Sequence, residues 1–220
     1  MLSKILRIIG SFLLIPACAA VTISFYKGIV AIKSVSDSAL LFIVGALVYS
    51  ILHILFFRLN FLYVLGHELT HAIATIFSGG KVMKIRVSSK GGIVQTTAPN
   101  FFVVLAPYLI PGYTVFITAL YFLLSFFVNA SRYSNLFIFL IGFTLMFHLA
   151  HTSESIKEKQ SDLMKTGYLF SISFIYIINL AIVFGIVSFF FNEIRFFDFL
   201  SGSFERSKEF YYSFWWQLFL

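Results

Sequence analysis

The chain has 220 residues, 60% of them apolar and only 11% charged, with 30 Phe and a formal net charge of +7. Water-soluble domains carry far more charge, so a soluble enzyme is excluded and a polytopic membrane protein is expected. The basic excess is spread over loops between apolar segments, the distribution of the positive-inside rule, which argues against a nucleic-acid partner. Cys18 is the only cysteine, so there is no internal disulfide and no cysteine-based metal site.

A crossing helix needs about 18 apolar residues or more. The first such segment is 5–26. Lys4 and Arg7 precede it, and Ile15-Pro16-Ala17-Cys18 is similar to a lipoprotein cleavage box. Pro16 fits that box poorly, and the apolar run continues past Cys18 to Tyr26. A retained first membrane helix is therefore expected, not a cleaved signal. The second segment is 39–57, and Arg58 and Asn60 mark the break after it.

The third segment, 61–77, carries the central feature: His67-Glu68-Leu69-Thr70-His71 inside an otherwise apolar run. On a helix, His67 and His71 leave the same face one turn apart. That spacing lets two ring nitrogens share one zinc ion. Glu68 points about 100° round the helix, where a general base would stand without being a ligand. Ionisable groups at membrane depth are costly and by default mark function.

Gly79-Gly80 ends this helix. Residues 81–87 are rich in β-branched side chains, Ser88-Ser89-Lys90-Gly91-Gly92 reads as a turn, and 93–97 as a second strand. A β-hairpin is expected within 79–99. The fourth segment, 101–128, is interrupted by Pro107, Pro111 and Gly112, so a kinked or broken helix is expected there. The fifth is 136–150 and the sixth 164–191. The tail, 192–220, mixes Glu205, Arg206, Lys208 and Glu209 with an aromatic run ending at Trp216, which suits an amphipathic helix at the membrane interface.

The fold class expected is an all-α polytopic membrane protein of about six transmembrane helices, with a short β-hairpin after the motif helix. It forms one membrane domain, 1–220. Two crossings separate the motif helix from the polar stretch 148–165, which puts that stretch on the side where the motif helix ends. His148, His151, Glu154, Glu158 and Asp162 there are the candidates for a third metal ligand. Lys and Arg at 27, 33, 81, 84, 86, 90, 157, 159 and 165 share this side and outnumber those at 4, 7, 58, 132, 195, 206 and 208, so it is taken as cytoplasmic.

With these residues in hand, the chain resembles the site-2 protease family of intramembrane zinc metalloproteases, in particular small members without extra soluble domains. The likeness rests on Gly66-His67-Glu68-Leu69-Thr70-His71-Ala72 in a membrane helix, Gly79-Gly80 and the hairpin after it, and Gln160-Ser161-Asp162-Leu163 near a later helix. It covers roughly 60–190, the expected protease core. It implies one zinc ion held by His67, His71 and Asp162, with Glu68 as the catalytic glutamate. Asp162 lacks the glycine that often follows this aspartate in the family as Leu-Asp-Gly. His148 and Asn100 are candidates for a supporting or oxyanion-stabilising role, and His53 is expected to be a buried, hydrogen-bonded side chain.

The resemblance further implies regulated intramembrane proteolysis of a membrane-anchored protein or peptide in the bilayer of a bacterial-type cytoplasmic membrane, with the active site nearer the cytoplasmic side. The alternative is a non-catalytic metalloprotease-like membrane scaffold or substrate-binding protein, against which the intact Glu68 argues. A membrane di-iron oxidase would need around eight histidines, and this chain has five.

Overall fold

The computed structural model describes residues 2–55 and 59–219. The end of the second predicted segment at Phe57, and Arg58 beyond it, lie outside the described residues.

The chain divides into two compact units. The first, 1–39 with 164–220, holds α1 (Leu2–Val30), α8 (Tyr168–Val187) and α9 (Phe196–Phe219). Phe184 joins the three. It stacks on Phe199 at 4.2 Å between ring centroids, meets Phe25 edge-on at 5.8 Å, and fills the space that Gly28 leaves by having no side chain. Arg206 of α9 donates to Ser24 Oγ at 2.9 Å, and Tyr211 donates to the Leu13 carbonyl. The predicted tail is thus a helix bound along α1, with Tyr212, Phe214, Trp215 and Trp216 on its exposed face.

The second unit, 40–163, holds the motif. It contains most of α2 (Asp37–Leu55), then α3 (Asn60–Phe77), β1 (Val82–Ser88), β2 (Gly91–Thr96), α4 (Phe101–Leu109), α5 (Gly112–Ser125), a 3-10 turn (Ala130–Tyr133) and α6 (Ser134–Lys157). It ends in the first half of α7 (Ser161–Thr166). Glycines let α2 and α6 touch backbone to backbone: the Phe139 carbonyl lies against Gly45, and the Phe42 carbonyl against Gly142. Small residues at such contacts are how helices approach closely where lipid gives no hydrophobic drive. On the other side, Ala74 of α3 packs with Val103 and Ala106 of α4.

Among the described residues, four helices are long and apolar enough to cross a membrane: Arg7–Val30, Asp37–Leu55, Ala130–Lys157 and Tyr168–Val187. The α4–α5 pair, bent by 73°, makes a fifth crossing or a re-entrant loop. The bend follows Pro107 and Pro111, each of which removes a backbone donor. Among the described residues α3 does not qualify by hydropathy, because its own motif dilutes its apolar character; this is where the count departs from six. The protein is an integral membrane protein, and its apolar helices contact lipid.

The hairpin forms as expected, antiparallel, with a turn at Ser89-Lys90 and an irregularity between Val82 and Lys84. Ile85, Val87, Gly92 and Val94 share one face, while Lys84 and Arg86 pair with Gln95 and Ile93 on the other.

Candidate metal centre

One helical turn sets the first two candidate ligands. His67 Nε2 and His71 Nε2 lie 3.2 Å apart. Asp162 Oδ2 lies 3.3 Å from His71 Nε2 and 3.8 Å from His67 Nε2. Ligands at about 2.0–2.1 Å from a tetrahedral zinc stand roughly 3.3–3.4 Å apart, so the trio fits such an ion. Two imidazoles and one carboxylate are also a borderline-soft donor set of the kind zinc takes.

The rings are held so that the correct nitrogen faces inward. His71 Nδ1 donates to the Val103 carbonyl at 2.8 Å, which leaves Nε2 unprotonated and free to bind. His67 Nδ1 lies 3.3 Å from the Tyr63 hydroxyl. Tyr108 meets His67 edge-on, at 5.1 Å between centroids, and donates its hydroxyl to Gln160 Oε1 at 2.7 Å. That bond ties the 158–160 loop to α4 two residues before Asp162. Lys159, at φ 51°, makes the turn that lets the chain leave α6 and present Asp162. Asp162 therefore sits on the short α7, which Gly167, at φ 94°, separates from α8.

Glu68 is buried on the neighbouring face of α3, directly beneath the hairpin. A Cβ on Gly92 would stand 2.5 Å from Glu68 Cγ and 2.7 Å from Oε1. His148 is buried and lines a cavity of about 30 Å³ shared with Tyr63, His67, Thr70, Tyr113 and Thr144, with room for a buried water. Asn100 caps α4: its Oδ1 accepts the Val103 N–H at 2.9 Å. It reaches the centre only through Val103, whose carbonyl holds His71.

Of the other candidate ligands, Glu154 faces elsewhere. Its Oε1 lies 3.3 Å from His53 Nε2 and its Oε2 3.4 Å from His151 Nδ1. His53 also meets the Tyr49 hydroxyl at 3.0 Å through Nδ1; it is hydrogen-bonded as expected, but half-buried rather than buried. Glu158 is exposed just past the end of α6. Sequence reasoning passed over Tyr63, Tyr108, Ser155, Gln160 and Gly92. For Tyr63 a signal exists: Tyr63, His67 and His71 recur every four residues, on one face.

The model of the peptidase M50B-like family matches residues 38–155. That is more than half of the chain, and it spans α3 with the whole motif. The chain belongs to the peptidase M50B-like family. This is the site-2 protease group of membrane metalloproteases, so the likeness read from the motif holds. Asp162 falls beyond the matched residues, and its place beside His67 and His71 rests on the geometry. No curated protein and no solved structure matches the chain.

Proposed function

We propose that this M50B-like protein is an intramembrane zinc endopeptidase that hydrolyses peptide bonds of membrane-anchored substrates. The observation that carries the reading is the convergence of His67, His71 and Asp162 to within 3.2–3.8 Å, with Glu68 buried beside them and outside the ligand set.

His67, His71 and Asp162 would hold the ion. When bound, zinc supplies a Lewis acid for a carbonyl oxygen and a field that makes water easier to deprotonate. Glu68 takes a proton from the attacking water as its oxygen bonds to the carbonyl carbon. As the C–N bond breaks, Glu68 gives that proton to the leaving amine. The burial of Glu68 under the hairpin keeps bulk water from competing for it.

A substrate helix hides its carbonyls in its own hydrogen bonds and must unwind to react. The β1–β2 hairpin presents an edge with which an unwound strand pairs, held extended next to Glu68. Lys81, Lys84, Arg86 and Lys90 on this hairpin support a cytoplasmic placing of the site.

The test is metal content by mass spectrometry on detergent-purified protein, wild type beside His71→Ala and Asp162→Ala, together with the protein termini found in membranes of cells producing wild type or Glu68→Gln. Near-stoichiometric zinc lost in both ligand variants, and new termini that need Glu68, would support the proposal. A folded wild type that takes up no zinc when zinc is supplied would end it. Zinc uptake without Glu68-dependent termini would favour the scaffold instead.

A further inference from the structure

The two ligand histidines are steadied in different ways. His71 leans on a backbone carbonyl, which no side-chain substitution removes. His67 leans on a chain of hydroxyls that crosses from α3 to α6.

The direction of that chain follows from what each group can do. Ser155 Oγ lies 2.9 Å from the His151 carbonyl, which can only accept, so the Ser155 proton is committed there. Ser155 Oγ, at 2.5 Å from Tyr63 Oη, must therefore accept the Tyr63 proton. The Tyr63 oxygen, its own proton spent, accepts from His67 Nδ1 at 3.3 Å. The His67 proton then sits on Nδ1, and Nε2 turns its lone pair to the site shared with His71 and Asp162.

Packing fixes where the Tyr63 hydroxyl can go. Its ring stacks on His151, with centroids 4.5 Å apart and planes 7° from parallel. His151 is itself almost fully buried and directed at Glu154. Tyr63 thus cannot swing away from His67 without unstacking. Ser155 is 1% exposed, so no bulk water replaces its acceptor oxygen.

We infer that Tyr63 is a positioning residue that sets the tautomer and aim of His67, with Ser155 as its anchor on α6. The inference rests on the metal-site reading. A tyrosine that merely fills space would support folding and leave metal affinity alone.

The experiment is a zinc competition titration against a chromophoric chelator on the full-length, detergent-purified chain. Wild type is compared with Tyr63→Phe, Ser155→Ala and, as a distant control, Tyr121→Phe, which lies in α5 stacked on Phe137. Melting of each in chelator is followed alongside. Losing such a supporting bond typically weakens metal affinity 10–100-fold. Tyr63→Phe is expected to fall in that range, Ser155→Ala to lose less, and Tyr121→Phe to match wild type. Cobalt-loaded Tyr63→Phe should also show shifted visible bands, as the His67 ring rotates. Affinity within twofold of wild type in both Tyr63→Phe and Ser155→Ala would overturn the inference while leaving the metal site standing. Should Tyr63→Phe fail to fold, Ser155→Ala decides alone. A wild type that binds no zinc would overturn the metal site itself, and the inference with it.

Discussion

Gly92 lies on Glu68. The backbone of β2 passes so close to the carboxylate that a Cβ at position 92 would stand 2.5 Å from Cγ and 2.7 Å from Oε1, closer than real Cβ contacts come. Gly92→Ala must therefore push either the strand or the carboxylate aside. The expected outcome is cleavage reduced by tenfold or more with zinc content unchanged, because a small misplacement of a catalytic group is costly, up to roughly a hundredfold per ångström. Termini profiling together with metal analysis of the same preparation checks it.

Glu68→Gln removes the proposed proton acceptor and keeps the shape. Zinc content should match wild type, since Glu68 lies outside the trio. Cleavage should fall by roughly 10²–10⁴, the usual worth of a positioned acid–base group. Undiminished cleavage would sink the assignment.

Asp162→Ala and Glu154→Ala should part company. The first removes an atom 3.3 Å from His71 Nε2 and should abolish stoichiometric zinc. The second removes the partner of His53 and His151 and should leave zinc in place. Zinc lost from Glu154→Ala but kept in Asp162→Ala would reverse the ligand assignment.

Asn100→Ala removes a helix cap. Such a loss costs about 1 kcal/mol of stability. Thermal melting should show it, while zinc affinity should drop only a few-fold, because the Val103 carbonyl still faces His71. A loss as deep as that of His71→Ala would give Asn100 a direct role.

Gly142→Ala would place a methyl group against the Phe42 carbonyl, a backbone atom that cannot turn away. Overpacking of this kind costs about 1–3 kcal/mol. Lower yield and earlier melting are expected, with zinc per folded molecule unchanged.

Local features were legible in the sequence and distant contacts were not. His67 and His71 share a face by helical period alone. The hairpin followed from Gly79-Gly80 and the β-branched run, and the 73° bend from Pro107 and Pro111. Asp162 came from a family likeness, because no period links it to a helix some ninety residues earlier; the Tyr108–Gln160 bond that holds its loop is likewise a product of packing. Tyr63 was readable by its spacing, yet a tyrosine in an apolar run looks like any other core ring. The six crossings expected included α3, whose buried polar residues lower the hydropathy by which spans are recognised.

Two of the proposed ligands share one turn of α3, while the third stands on the short α7, beyond a turn. The separation of His67 from His71 is a property of an α-helix and survives as long as that helix does. The position of Asp162 rests instead on contacts between segments, among them the turn at Lys159 and the bond from Tyr108 to Gln160. Mild heating or a harsh detergent should thus strip the carboxylate from the trio first, leaving a two-histidine remnant too poor in donors to hold a metal firmly.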